Sequence, residues 1–242
     1  MRLTNCLIVS LIAVYLGELA TGLLYGLGAV QEVFASFGFS AAALAAGKWW
    51  TILSSVWLHA SPEHLVLNAL ALFFFGRAVE AELGWRKTLL IFLTAAVVGN
   101  LAVLLMAWLG LMPMAIPTVG ASGAIFGLLG TAMLIKPLEF IFYPYLIPVP
   151  LVLVAVLYTL YNVFAFLAVL ATGASTNIAY AVHIAGLGVG ALAGFKFVGA
   201  KRAFIVLLLI FAILLAIPFI LGALAVLEIF NWAVLLGRIL GG

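Results

Sequence analysis

NIAYAVHIAGLGVGALAGFKF, residues 177–197, decides how the rest of the chain is read. The run is almost wholly apolar, and its one formal charge, Lys196, lies next to its end. A helix needs about 20 such residues, rising 1.5 Å each, to cross the hydrocarbon core of a bilayer. His183 interrupts the run, and Gly186, Gly190 and Gly194 follow it four residues apart. Helical periodicity stacks these positions on one face. A face of glycines lets another helix backbone approach closely. An ionisable group inside a span is a functional candidate by default, although a lone histidine also serves as a structural hydrogen-bonder.

The whole chain shares this character. Of its 242 residues 68% are hydrophobic and only 7% are charged, and the mean hydropathy is +1.41. A soluble domain carries about 25% charged residues. Too few polar side chains are present to wet the outside of a globule, so the outside faces lipid. A soluble enzyme, a nucleic-acid binder and a disordered chain are thereby excluded. The fold class is all-α, a polytopic transmembrane helical bundle. Candidate spans are 6–30, 62–83, 87–110, 120–136, 149–171, 177–197 and 203–227, with prolines and Ser/Thr/Asn runs marking the breaks. The first is too long for the apolar region of a signal peptide and contains Glu18. Residues 1–202 form a six-helix core, and 203–242 an additional helix and tail, which Pro218, Glu228 and Asn231 could divide.

Basic residues orient the bundle. With the N-terminus cytoplasmic, Arg2, Arg77, Arg86, Lys87, Lys136, Lys196, Lys201 and Arg202 fall on the cytoplasmic side, and only Lys48 and Arg238 fall outside. The link 31–61 carries Phe34, Phe37, Phe39, Trp49, Trp50 and Trp57. Such aromatics favour the headgroup level, so this loop is expected to lie half-submerged in the outer leaflet. No internal repeat is evident, which counts against a transporter built from two related halves.

Three polar constellations stand out. Gly120-Ala121-Ser122-Gly123 opens the fourth span. A serine among small residues is usually a packing feature. At a helix start it is also a candidate nucleophile, with free backbone N–H groups ready to stabilise an oxyanion. His64 and Asn68, four apart, share one face of the second span and each offers an N–H donor. They could equally knit helices together. A zinc site is less plausible, because the zinc-peptidase pattern needs His-Glu-x-x-His and the residue four after His64 is Asn, and the single Cys6 excludes a multi-cysteine site. His183 is the third, and its glycine face matches Gly123, Gly127 and Gly130 on the fourth span. Packing those faces together would bring Ser122 to His183.

Depth tests whether the three constellations meet. His183 and Asn68 each lie about 9 Å below the starts of their spans at 1.5 Å per residue. Ser122 to Lys136 covers roughly 22 Å of a core about 30 Å thick. The fourth helix is therefore short, and residues 111–121 must dip into the protein to reach it. Under the charge-based topology all three helices run from outside to inside, which puts Ser122, His64, Asn68 and His183 at one level in the outer half.

From about residue 45 to 197 the sequence resembles the rhomboid family of intramembrane serine proteases. The Gly-Ala-Ser-Gly run with Phe126 and Gly127, the His-x-x-x-Asn pair, His-x-x-Gly-x-x-x-Gly, and Gly76-x-x-x-Glu80 carry the resemblance. It implies that Ser122 is the nucleophile and His183 its general base. His64, Asn68 and the Ser122 N–H would form the oxyanion hole. Gly120, Gly123, Phe126, Gly127, Gly186 and Gly190 would pack the helices around the site. The extra C-terminal helix looks like the family's six-plus-one arrangement. Two positions depart from the pattern: Thr51 follows Trp50 where members usually have Arg, and Phe126 stands where many have Tyr.

The chemistry agrees. A serine hydroxyl needs a base to take its proton. The chain has no Asp, and its Glu residues lie mostly at the cytoplasmic ends or in loops, so a Ser–His dyad is expected, held by packing and needing no metal or cofactor. Substrates would be transmembrane proteins, entering between the second and fifth spans and cleaved near the outer end of their helix, with the Ser175–Asn177 loop as a mobile cover. The alternative is a catalytically inactive rhomboid-like protein that binds transmembrane helices. A channel or transporter is disfavoured by the scarcity of mid-membrane acids other than Glu18, and an aspartyl protease by the absence of Asp.

Overall fold

The computed structural model describes residues 2–141, 148–172 and 180–212, with scattered positions between 215 and 226. The chain forms two compact units, residues 1–200 and 201–242. In the second, residues 201–212 are helical, and Pro218, Glu228 and Asn231 lie outside the described residues.

The first unit is helical and membrane-embedded. In chain order come α1 (Leu3–Tyr25), α2 (Leu27–Phe37), α3 (Ala41–Ala45), α4 (Thr51–Ser54), α5 (Pro62–Ala71), α6 (Arg77–Leu83), α7 (Trp85–Trp108), α8 (Ser122–Ile135), α9 (Leu151–Thr172) and α10 (Tyr180–Val198). Five helices among the described residues are long and apolar enough to span a bilayer: α1, Pro62–Leu83, α7, α9 and α10. Pro62–Leu83 is α5 and α6 joined by a π-helical turn, Leu72–Gly76. Such a turn admits one extra residue and shifts the helix's facing from there on.

Two expectations need correction. The apolar run 6–30 is not one helix. It ends at Tyr25, and Gly26, at φ +84°, turns the chain into α2. Only glycine adopts that backbone readily. The 31–61 link is also more than an interfacial loop. Phe39 is fully buried, packed with Val103 and Val182, and its backbone pairs with Thr118 at 3.0 and 2.7 Å. Asn100 of α7 donates its amide to the Ile52 carbonyl and the Ser55 hydroxyl at 2.8 and 3.0 Å. Trp57 donates its indole N–H to Ser10 of α1 at 2.9 Å. Trp49 remains mostly exposed. The link is thus bolted to the bundle on three sides.

α8 lies at the centre, with every residue from Gly123 to Ile135 buried. Its 14 residues rise about 21 Å, against a hydrocarbon core of about 30 Å. Of the irregular segment before it, only the end enters the protein: 117–121 are half-buried or buried while Leu111, Met114 and Ile116 stay exposed. Backbone bonds tie the segment to the 38–55 region, Ala42 N–H donating to Met114 and Gly120 N–H to Ser55, both at 2.9 Å. Backbone without regular structure is tolerated at membrane depth only where protein shields it. At the other end a short antiparallel ladder, β1 (Phe140–Ile141) with β2 (Val149–Pro150), leads into α9.

α8 meets α10 through glycines. A methyl built on Gly190 would collide with the Gly127 carbonyl oxygen and lie 2.9 Å from the Thr131 amide nitrogen, and one on Gly186 would collide with the Gly123 carbonyl. One on Gly130 would lie 2.6 Å from the Leu187 carbonyl oxygen. The backbones therefore touch, and the Thr131 hydroxyl bonds across the seam to the Gly190 carbonyl at 3.0 Å.

Gly76 and Glu80 fasten the start of α1. Gly76 leaves room for Thr4, whose Cγ2 would be 3.0 Å from an added methyl. The Glu80 carboxylate accepts from Leu3 N–H, Thr4 N–H and the Thr4 hydroxyl at 2.7, 2.9 and 2.6 Å. It caps a helix N-terminus and meets its positive dipole end. Glu80→Ala is expected to destabilise the fold by about 2 kcal/mol. SDS-driven unfolding in mixed micelles would read this, and an unchanged midpoint would refute it.

Candidate active site

Ser61 begins the construction. Its hydroxyl accepts from the His64 N–H at 3.2 Å, and Pro62 occupies the first helical position. Both are strong helix-start signals. They place His64 in the first turn of α5. The ring of His64 lies over Gly120: a methyl there would sit 2.6 Å from its Cε1 and 2.8 Å from its Nε2. Gly120 has φ +116°, so both the space and the backbone at this position call for glycine. Two residues later Ser122 opens α8, with no side chain capping the helix start. The first N–H groups of a helix have no intrahelical acceptors, so they are available beside the serine.

Across the glycine seam, α10 brings His183 to Ser122. Nε2 lies 2.7 Å from Oγ. The imidazole stacks flat on Phe126, with ring centroids 4.4 Å apart and planes 4° from parallel. Tyr180 approaches edge-on, its centroid 6.5 Å away. The residues that differ by 61 in sequence thus meet because α8 and α10 start at the same end of the bundle and touch by their backbones. A hydroxyl, a stacked imidazole and a helix N-terminus at one point make an arrangement able to perform acyl transfer.

Asn68 is buried one turn below His64 and donates from Nδ2 to the His64 carbonyl at 2.9 Å. An amide nitrogen has two hydrogens, so this bond leaves one for another acceptor. His59 adds a second ring beside His64, edge-on at 5.1 Å. Burial, with the neighbouring His64 adding to it, pushes the His59 imidazole down to about 4, and its Nδ1 faces the Trp57 carbonyl at 3.1 Å. Glu18, buried on α1, accepts the His59 backbone N–H at 3.3 and 3.4 Å. Its position secures the entry into α5 from outside the Ser122–His183 pair. The Ser175–Asn177 loop lies outside the described residues.

One residue escaped the sequence reading. Asn162 of α9, buried, places Oδ1 2.6 Å from His183 Nδ1. Its signal was its isolation as the one carboxamide in an apolar span, since polar groups inside spans are functional candidates.

Residues 46–200 match the family model for the Rhomboid domain. The chain belongs to the rhomboid family. Among its relatives is the Rhomboid protease GluP of Bacillus subtilis (strain 168), 39% identical over 103 residues, or 42% of this chain and 19% of that protein. The Putative rhomboid protease YdcA of the same organism is 37% identical over 87 residues, 36% of this chain and 41% of that protein. RHOMBOID-like protein 1 of Arabidopsis thaliana is 36% identical over 84 residues, 35% of this chain and 20% of that protein. The matched stretches span from about a fifth to two fifths of these relatives' lengths. The departures from the rhomboid pattern have local explanations. Thr51 is fully buried and its hydroxyl donates to the Lys48 carbonyl at 2.6 Å, closing a turn within the link. Phe126 retains the ring stacking on His183 that a Tyr would provide.

Proposed function

We propose that this rhomboid is an intramembrane serine endopeptidase that hydrolyses peptide bonds in or near the transmembrane segments of other membrane proteins. The observation that carries the reading is the 2.7 Å contact between Ser122 Oγ and His183 Nε2 at a helix start inside a lipid-embedded bundle. The protease names of the bacterial relatives support it.

Ser122 Oγ attacks the scissile carbonyl carbon while His183 Nε2 takes the hydroxyl proton. The carbonyl oxygen becomes an oxyanion, which receives hydrogen bonds from the Ser122 N–H, the His64 ring and Asn68. His183 then returns the proton to the leaving amine as the C–N bond breaks. A water, deprotonated by the same histidine, hydrolyses the acyl-enzyme and restores Ser122. Residues 1–202 form the catalytic core, and 203–242 add a further helix and tail. The N-terminus is cytoplasmic and the site faces the extracellular side. Gly120, Gly123, Phe126, Gly127, Gly186 and Gly190 hold the geometry.

The inactive, helix-binding alternative finds no support in the pair itself, since neither hydroxyl nor imidazole is missing. A fluorophosphonate probe separates the two readings. The wild-type chain is expected to label, and Ser122→Ala and His183→Ala to lose labelling while remaining folded. A folded wild-type preparation that never labels would favour the binder.

A further inference from the structure

We propose that Asn162 is the positioning residue of the site, fixing the tautomer of His183 so that Nε2 presents a bare lone pair to Ser122. Its consequence for turnover rests on the proteolytic reading; the tautomer itself does not.

Donor and acceptor roles at these atoms are fixed by their chemistry. Asn162 Nδ2 lies 2.8 Å from the Tyr158 carbonyl oxygen, one turn back on α9. A carbonyl only accepts, so the nitrogen end of the amide must face it. The oxygen end then faces His183, with Oδ1 2.6 Å from Nδ1. That oxygen carries no hydrogen, so Nδ1 must donate. A neutral imidazole holds one proton, which leaves Nε2 unprotonated, 2.7 Å from Ser122 Oγ, whose hydroxyl donates to it. The opposite tautomer would set the Nδ1 lone pair against those of Oδ1. Asn162 is only 3% exposed, so water cannot relieve that repulsion, and the low dielectric magnifies it.

The same contact serves the next step. When His183 accepts the serine proton, its Nδ1–H stays on Oδ1, and the amide dipole faces the new positive charge. Triad enzymes assign this task to a buried carboxylate. In a membrane interior a permanent charge is costly to bury, and a carboxamide orients the ring without one. The chain's lack of Asp is therefore compatible with a three-residue hydrogen-bonded array, Ser122–His183–Asn162, in which no proton passes to the amide.

The test uses the full chain in lipid bilayers with 15N-labelled histidine. Solid-state NMR distinguishes the two tautomers directly, and a His183→Gln sample assigns the signal among the three histidines. The wild type is expected to show His183 protonated at Nδ1 only. Asn162→Leu, of similar volume, should lose that preference and slow fluorophosphonate labelling of Ser122 by about 10–100-fold, below the effect of removing a charged orienter. Asn162→Asp, kept protonated by burial with its O–H on the Tyr158 carbonyl, leaves an acceptor oxygen on Nδ1 and should recover both the tautomer and most of the rate. A wild-type His183 protonated at Nε2 overturns the proposal without recourse to any variant, as does an Asn162→Leu protein that labels at the wild-type rate. A wild type with the expected tautomer but no labelling refutes the protease and leaves Asn162's hold on the ring standing.

Discussion

Gly190→Ala is expected to cost about 3–5 kcal/mol of stability and to remove labelling of Ser122 with it. Overpacking usually costs about 1–3 kcal/mol because side chains turn aside. Here the methyl meets the Gly127 carbonyl and the Thr131 amide, and neither can rotate away without breaking its helix. The clash is relieved only by parting α8 from α10, which are the two helices that join Ser122 to His183. Gly188→Ala supplies the control. It lies on the same helix with nothing within 4 Å of the added methyl, and alanine is the better helix former by up to about 1 kcal/mol. SDS unfolding of both variants should show a large drop for Gly190→Ala and none for Gly188→Ala. Equal midpoints would mean that the two backbones do not touch.

His64→Ala should lower the turnover of a transmembrane substrate by about 10²–10³-fold, equivalent to about 2.7–4 kcal/mol, the usual cost of losing one oxyanion donor. The bond to the oxyanion exists only once the carbonyl has been attacked, so the loss belongs in kcat and leaves KM nearly unchanged. Asn68→Ala should behave alike, with a smaller effect if its amide stays committed to the His64 carbonyl, 2.9 Å away. Measuring both constants by gel-based cleavage in proteoliposomes decides the matter. A His64→Ala enzyme with raised KM and intact kcat would make His64 a binding residue instead.

The spans were readable in the sequence because a helix in lipid has to be both long and apolar, and few other structures are. Helices α7, α9 and α10 begin and end within about three residues of where composition put them. The contact of Ser122 with His183 was readable too, through glycines three or four apart on two helices. Gly26 was not, because the apolar pattern runs through it and a positive φ leaves no mark on hydropathy. The folding of the 31–61 link stayed hidden for another reason. Its aromatics suit a membrane interface and a protein interior equally well, and in the fold Phe39 is buried while Trp49 stays exposed. Asn162 was invisible to motif reasoning because its partner lies 21 residues on, in a different helix. Only the packing of α9 against α10 brings the two together.

The seam of glycines has one more implication, which concerns motion. Helices that meet through side chains can slide, since rotamers rearrange; two main chains in contact have nothing to rearrange. α8 and α10 therefore make a fixed frame, and under the proteolytic reading any opening that admits a polypeptide is expected from the helices that meet this frame through side chains. α9 is one of them, holding to it through Tyr158 beside Phe126 and Asn162 beside His183. If the chain is a protease, such a frame would keep Ser122 and His183 in register whatever the surrounding helices do.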